Sequence, residues 1–153
     1  MASHQALPCA RSTAGLRAMI MQMMSRFFPY DFDRRFRLIW RSFGVDPEVD
    51  GVTLTDDGRL GASFGRFRVD TPLSNVADVT NTGPYRWWKS VGLRASAADT
   101  GITFGTTNRV GACILFKDPI PQVVPPRPGH AGLTVTVAEP DKLVAAVKEG
   151  KRA

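Results

Sequence analysis

Four residues of the 153-residue chain have side chains that could ligate zinc or form a thiolate–imidazole pair: His4, Cys9, Cys113 and His130. A zinc site takes its ligands from closely spaced Cys and His, and these four are scattered over most of the chain, so metal binding is not expected. Cys113 and His130 are the pair a fold could bring together as nucleophile and base. Cys113, however, stands between Ala112 and Ile114 in an apolar run, the setting of a small buried hydrophobe. His130 falls in a Pro/Gly-rich stretch with no carboxylate close in sequence to orient it, and reads as an exposed loop residue. The carboxylate pairs Asp56-Asp57 and Asp31/Asp33 have simpler employment as turn and helix-cap residues. Gly101, Gly105 and Gly111 lack the strand–glycine–helix order and the following Lys-Ser or Lys-Thr of a phosphate cradle, and turn or bulge duty suits them better. No catalytic, metal-ligating or cofactor-binding residue is assigned, and no cofactor is predicted.

Two stretches remain. Arg34, Arg35, Arg37 and Arg41 form the densest basic run, and on a helix they spread over the face opposite Phe36, Ile39 and Phe43, as a solvated face does. The other is Pro84-Tyr85-Arg86-Trp87-Trp88-Lys89, which sets two of the three tryptophans side by side between basic residues, with Gly83 before and Gly92 after. Neither a helical nor an extended backbone buries both indoles easily. Trp beside Arg and Lys at a loop tip suits a membrane interface or a stacking contact. The competing reading has one indole covering the sheet, the other packed on the aromatic N-terminal helix, and Arg86 stacked over a ring. Tyr85, Arg86, Trp87, Trp88 and Lys89 are therefore the candidate contact residues, with a protein partner or an anionic membrane surface as the counterpart.

The formal charge of +6 is unevenly placed. Arg11, Arg17 and Arg26 stand in the first thirty residues without an acid; from Asp31 onward seventeen basic and fourteen acidic residues alternate. That is weaker than the clustered stripe of a nucleic-acid binder, and no nucleic-acid partner is expected. With one cysteine in the polar leader and one in an apolar run, a disulfide framework is not expected and a reducing, cytoplasmic setting is. The apolar run Ala18–Met24 contains Gln22 and is too short to span a bilayer, and Ser25-Arg26-Phe27-Phe28 offers no small-residue cleavage site. An acid-free leader with arginines can mimic an organelle transit peptide; an extended start, with internal methionines as initiators, is the simpler account.

The elements that must position these residues follow from hydrophobic period. A tail over 1–26, a single β-rich domain over 27–150 and a frayed end at 151–153 are expected. Phe32, Phe36, Ile39, Trp40 and Phe43 make one apolar face of a short helix opened by Asp31 or Asp33 and closed by Gly44, in preference to an alternating strand over 36–40. From Gly51 the period changes to two. Strands are predicted over 52–55, 59–64, 67–71 and 75–82, the first two joined by an Asp56-Asp57-Gly58 turn, then over 93–97, 102–104 and 110–116. Pro119, Pro121, Pro125, Pro126 and Pro128 predict a loop that neither pairs nor coils. A strand over 133–137 and a helix over 139–148, with Leu143, Val144 and Val147 on one face, complete the chain.

This order, seven or eight short antiparallel strands and then one amphipathic helix, resembles the bacterial pleckstrin-homology-like (PH-like) domains. Two segments carry the likeness: Thr71-Pro72-Leu73-Ser74-Asn75-Val76, similar to the turn into the fourth strand, and Leu133–Val137 running into the helix that begins at Glu139-Pro140. The resemblance implies a strongly bent antiparallel sheet, or partly open barrel, closed at one end by the C-terminal helix, over residues 51 to 150. Phosphoinositide-binding members of the wider fold cluster Lys and Arg in the first hairpin loop, where this chain has Asp56 and Asp57. The chain as a whole also resembles an actinobacterial family, a likeness that adds no activity. The function expected is a non-catalytic interaction module working through the aromatic-basic segment; the alternative is a flavin-type split β-barrel oxidoreductase or a small-ligand-binding barrel.

Overall fold

The computed structural model describes residues 25–153 apart from 85, 87–89, 97 and 126–127. Alternating apolar residues give nine strands among them: β1 (Ser25–Pro29), β2 (Gly51–Thr55), β3 (Arg59–Phe64), β4 (Phe67–Pro72), β5 (Val76–Thr82), β6 (Gly92–Ala95), β7 (Ile102–Gly105), β8 (Gly111–Pro121) and β9 (Gly129–Val135). Among the described residues two α-helices of several residues accompany them, α1 (Arg37–Ser42) and α2 (Pro140–Arg152), with 3-10 turns at Arg34–Phe36 and Leu73–Asn75. The fold is thus mainly β, with a C-terminal helix.

The strands form a four-stranded sheet in the order β1-β2-β3-β4 and a five-stranded sheet in the order β5-β8-β9-β7-β6. All pairings are antiparallel except β7 with β9, which run parallel with Ile102 opposite Leu133. The inward residues of both sheets meet in one core, and the Phe64 and Phe104 rings stack across it with centroids 5.3 Å apart. Beyond Pro29 the chain crosses from the first sheet to the second: Tyr30 bridges Val137, Asp31 N–H donates to Thr136 O at 2.8 Å, and Ala138 N–H donates to Pro29 O at 2.9 Å. At the opposite corner the Leu73–Asn75 turn joins the sheets. There Asn75 donates to Asp118 O at 2.9 Å and accepts from Asp118 N–H at the same distance, so the Pro-Leu-Ser-Asn segment serves as a structural clamp.

Helix α2 buries Leu143, Ala146 and Val147 against β5, β8 and that clamp. Pro140 in its first turn needs no intrahelical hydrogen-bond donor, and Lys151 ties its last turn to Ala77 O at 2.7 Å. The end expected to fray at 151 is helical to Arg152. At the other end of the domain, β1 begins inside the segment read as tail, because Phe28 alternates inward against Val52 while Phe27 faces out.

The proline-rich stretch differs from expectation. Pro119 and Pro121 lie within β8, not in a loop. Pro119 sits where the β8–β9 register shifts between Leu115 and Ile120, so its missing N–H breaks no ladder bond; Pro121 closes the ladder opposite Gly129.

Candidate interaction surface

The aromatic-basic segment lies on the connection from β5 to β6. Tyr85, Trp87, Trp88 and Lys89 fall outside the described residues, and Arg86 is exposed. The return of this connection is held firmly. Ser90 and Val91 are both buried, and the Ser90 hydroxyl donates to Thr107 O at 3.4 Å. A Cβ on Gly105 would meet Ser90 O at 1.4 Å, so β7 can approach this backbone only because residue 105 has no side chain. Two residues on, Gly92 lies beneath the aromatic helix: a Cβ there would stand 3.1 Å from the Phe43 ring and 3.4 Å from Ile39. The β5–β6 connection therefore rejoins the sheet at Gly92, directly under α1.

Helix α1 grows out of the 3-10 turn. Asp33, buried at 8% exposure, accepts from Arg35 N–H at 3.0 Å and caps it. The same carboxylate takes the Arg35 guanidinium, with Nε at 3.1 Å and an Nη at 2.6 Å. Hydrogen bonding from the Arg35 side chain is the main cause that holds Asp33 below the usual carboxylate range, against the opposing effect of burial. Asp31, the other capping candidate, instead pairs with Arg109 at 2.9 Å. Phe36, Ile39, Trp40 and Phe43 turn inward, and Trp40 donates from its indole to Asp33 O at 3.3 Å.

The outward face carries Arg34, Arg37, Leu38 and Arg41. They fall at i, i+3, i+4 and i+7, which on a helix is a single stripe. Among the described residues the side chains of Arg34, Arg37 and Arg41 make no ion pair or hydrogen bond, whereas Arg26, Arg35, Arg59 and Arg109 each have a carboxylate. The three arginines line an open groove of about 930 Å³ together with Phe32, Trp40 and Gly44–Pro47. Asp46 also lines it, but its carboxylate takes Glu48 N–H at 2.9 Å and pairs with none of the three. Leu38 is 86% exposed, the most exposed of the large hydrophobic residues described. The β3–β4 turn packs on this end as well, since Gly65, at φ +60°, has the Phe43 carbonyl 2.1 Å from where a Cβ would be; the next residue, Arg66, is exposed. The spacing of the arginines was visible in the sequence, but their lack of counter-charges was not, because that depends on which acids the fold brings near.

His130 and Cys113 do not form a site. Cys113 is half-buried on β8 opposite Thr134, while His130 pairs with Ile120, seven positions further along the same strand. Contrary to its reading as an exposed loop residue, His130 is fully buried at the start of β9. Its Nε2 accepts from Val123 N–H at 3.2 Å and Val124 N–H at 3.4 Å, which leaves Nδ1 to donate to Thr100 O at 3.2 Å. Both ring nitrogens are therefore used in holding the proline-rich loop.

The acidic hairpin tip works as a turn, with Gly58 at φ +82° donating to Thr55 O at 3.0 Å. Among the described residues no group of three His, Cys, Asp or Glu side chains is placed to hold a metal ion, and no helix is long and apolar enough to cross a membrane. No family model, curated protein or solved structure matches the chain.

Proposed function

We propose that the protein is a non-catalytic interaction module on a PH-like scaffold, and that it docks an anionic partner at the end of the molecule where α1 and the β5–β6 connection meet. The observation that carries this reading is the row Arg34, Arg37 and Arg41, exposed on one helical face without a counter-charge among the described residues. Four other arginines, Arg26, Arg35, Arg59 and Arg109, have found a carboxylate, Arg59 with Asp70 at 2.7 Å. A row left unpaired keeps its field for a ligand. The β5–β6 connection, whose sequence includes Tyr85–Lys89, rejoins the sheet under this helix, its return fixed by Ser90, Gly92 and Gly105.

The test is retention on a dextran sulfate resin in a salt gradient. Arg34→Gln, Arg37→Gln and Arg41→Gln combined should elute at clearly lower salt than wild type. A control with the same charge loss at the exposed positions Arg68, Lys148 and Arg152 should elute close to wild type. Equal shifts in the two triple variants would mean that net charge alone retains the protein, and would remove the assigned surface.

A further inference from the structure

The geometry points to an anionic lipid bilayer as the surface that the α1 end docks on; this inference rests on the docking reading above. Charge complementarity selects an anionic partner, and the position of Leu38 selects the kind. Leu38 stands four residues after Arg34 and three before Arg41, so the cations flank an apolar side chain that is 86% exposed. Headgroup phosphates would take the guanidiniums while Leu38 enters the boundary of the acyl chains, the division of labour of an interfacial helix. The other helical face is already occupied: Trp40 is buried, and Phe36 and Phe43 pack against the core, so α1 cannot roll to bury Leu38 within the molecule.

The β3–β4 turn packs against the end of α1. Arg66 on the β3–β4 turn is exposed, and that turn abuts Phe43 and Gly44. Arg35 belongs to a different set, since its guanidinium is committed to Asp33 and also lies over the Phe36 ring at 5.5 Å from the centroid. It supplies an internal control.

The experiment is co-sedimentation with phosphatidylcholine vesicles, plain and doped with phosphatidylserine, run beside the dextran sulfate assay. Wild type should partition onto the doped vesicles and not onto the plain ones. Each of Arg34→Gln, Arg37→Gln and Arg41→Gln should lower partitioning about fivefold, whereas Arg35→Gln should lower it less. Leu38→Asn should lower vesicle partitioning about fivefold and leave dextran sulfate retention unchanged, because a lipid-free polyanion offers nothing apolar to enter. Partitioning that ignores Leu38→Asn would overturn insertion. Retention on dextran sulfate with no partitioning onto doped vesicles would overturn the bilayer while leaving the docking reading standing, with an acidic protein or a nucleic acid as the partner. Failure in both assays would remove both.

Discussion

Asp33 sets where the arginine row begins. Its carboxylate caps the 3-10 turn and holds Arg35, and this hydrogen bonding lowers its proton affinity. A carboxyl lowered in the folded state stabilises the fold at pH values above the ordinary carboxyl range near 3.8, and that contribution fades as pH falls through the folded-state value. Asp33→Ala should therefore cost about 1 kcal/mol at neutral pH through loss of the cap. In urea melts the gap to wild type should close on acidification below about pH 4; a gap that stays constant would mean packing rather than charge. Tyr30 is the alkaline counterpart. Burial, and then the nearby negative Asp50, push its phenol well above its usual value, and the neutral hydroxyl donates to Ser63 O at 2.7 Å. A group raised in the folded state stabilises fully below its unfolded value near 10.0 and loses that contribution at higher pH, so Tyr30→Phe should flatten the alkaline loss of stability.

At the scale of elements, the docking end depends on close backbone approach more than on side-chain contacts. Gly105→Ala should force Ser90 off β7 and displace the return of the β5–β6 connection, at a cost of about 1–3 kcal/mol, with faster amide exchange at Ser90 and Val91 as the readout. Unchanged exchange there would show that the connection is anchored elsewhere. The far edge has its own tie: His130→Ala leaves the Val123 and Val124 N–H groups without their acceptor, and should cost about 2–3 kcal/mol while opening 122–125 to proteolysis. Local pattern made much of this level legible. The hairpin at Asp56-Gly58, the strand positions from β2 to β7 and the C-terminal helix all follow from period and turn chemistry. His130 and Pro119 did not, for a shared reason. Each owes its place to a partner distant in sequence, Thr100 for the imidazole and the shifted β8–β9 register for the proline, and no local pattern encodes either. The strand at Ser25–Pro29 escaped notice because its aromatic cluster flows directly into the aromatic face of α1.

Across the whole molecule, two sheets and a C-terminal helix close one core and leave α1 as an outlying element whose apolar side covers the sheet corner and whose basic side is spare. The composition showed a modest positive excess without a location. Among the described arginines Arg26, Arg35, Arg59 and Arg109 pair with carboxylates, while Arg34, Arg37 and Arg41 stand together without one. The aromatic-basic segment was legible from residue types alone, and α1 was legible as a helix; that the β5–β6 connection returns beneath α1 at Gly92 was not. The most direct test uses the Trp40→Phe protein, which removes the buried indole and leaves emission from Trp87 and Trp88. Acrylamide quenching of that emission, with and without phosphatidylserine-doped vesicles, reports whether the β5–β6 connection takes part in docking. The account predicts easily quenched, red-shifted emission from the free protein and protected, blue-shifted emission with vesicles. Emission already protected in the free protein and unmoved by vesicles would contradict it, and would make the tryptophan pair part of the core.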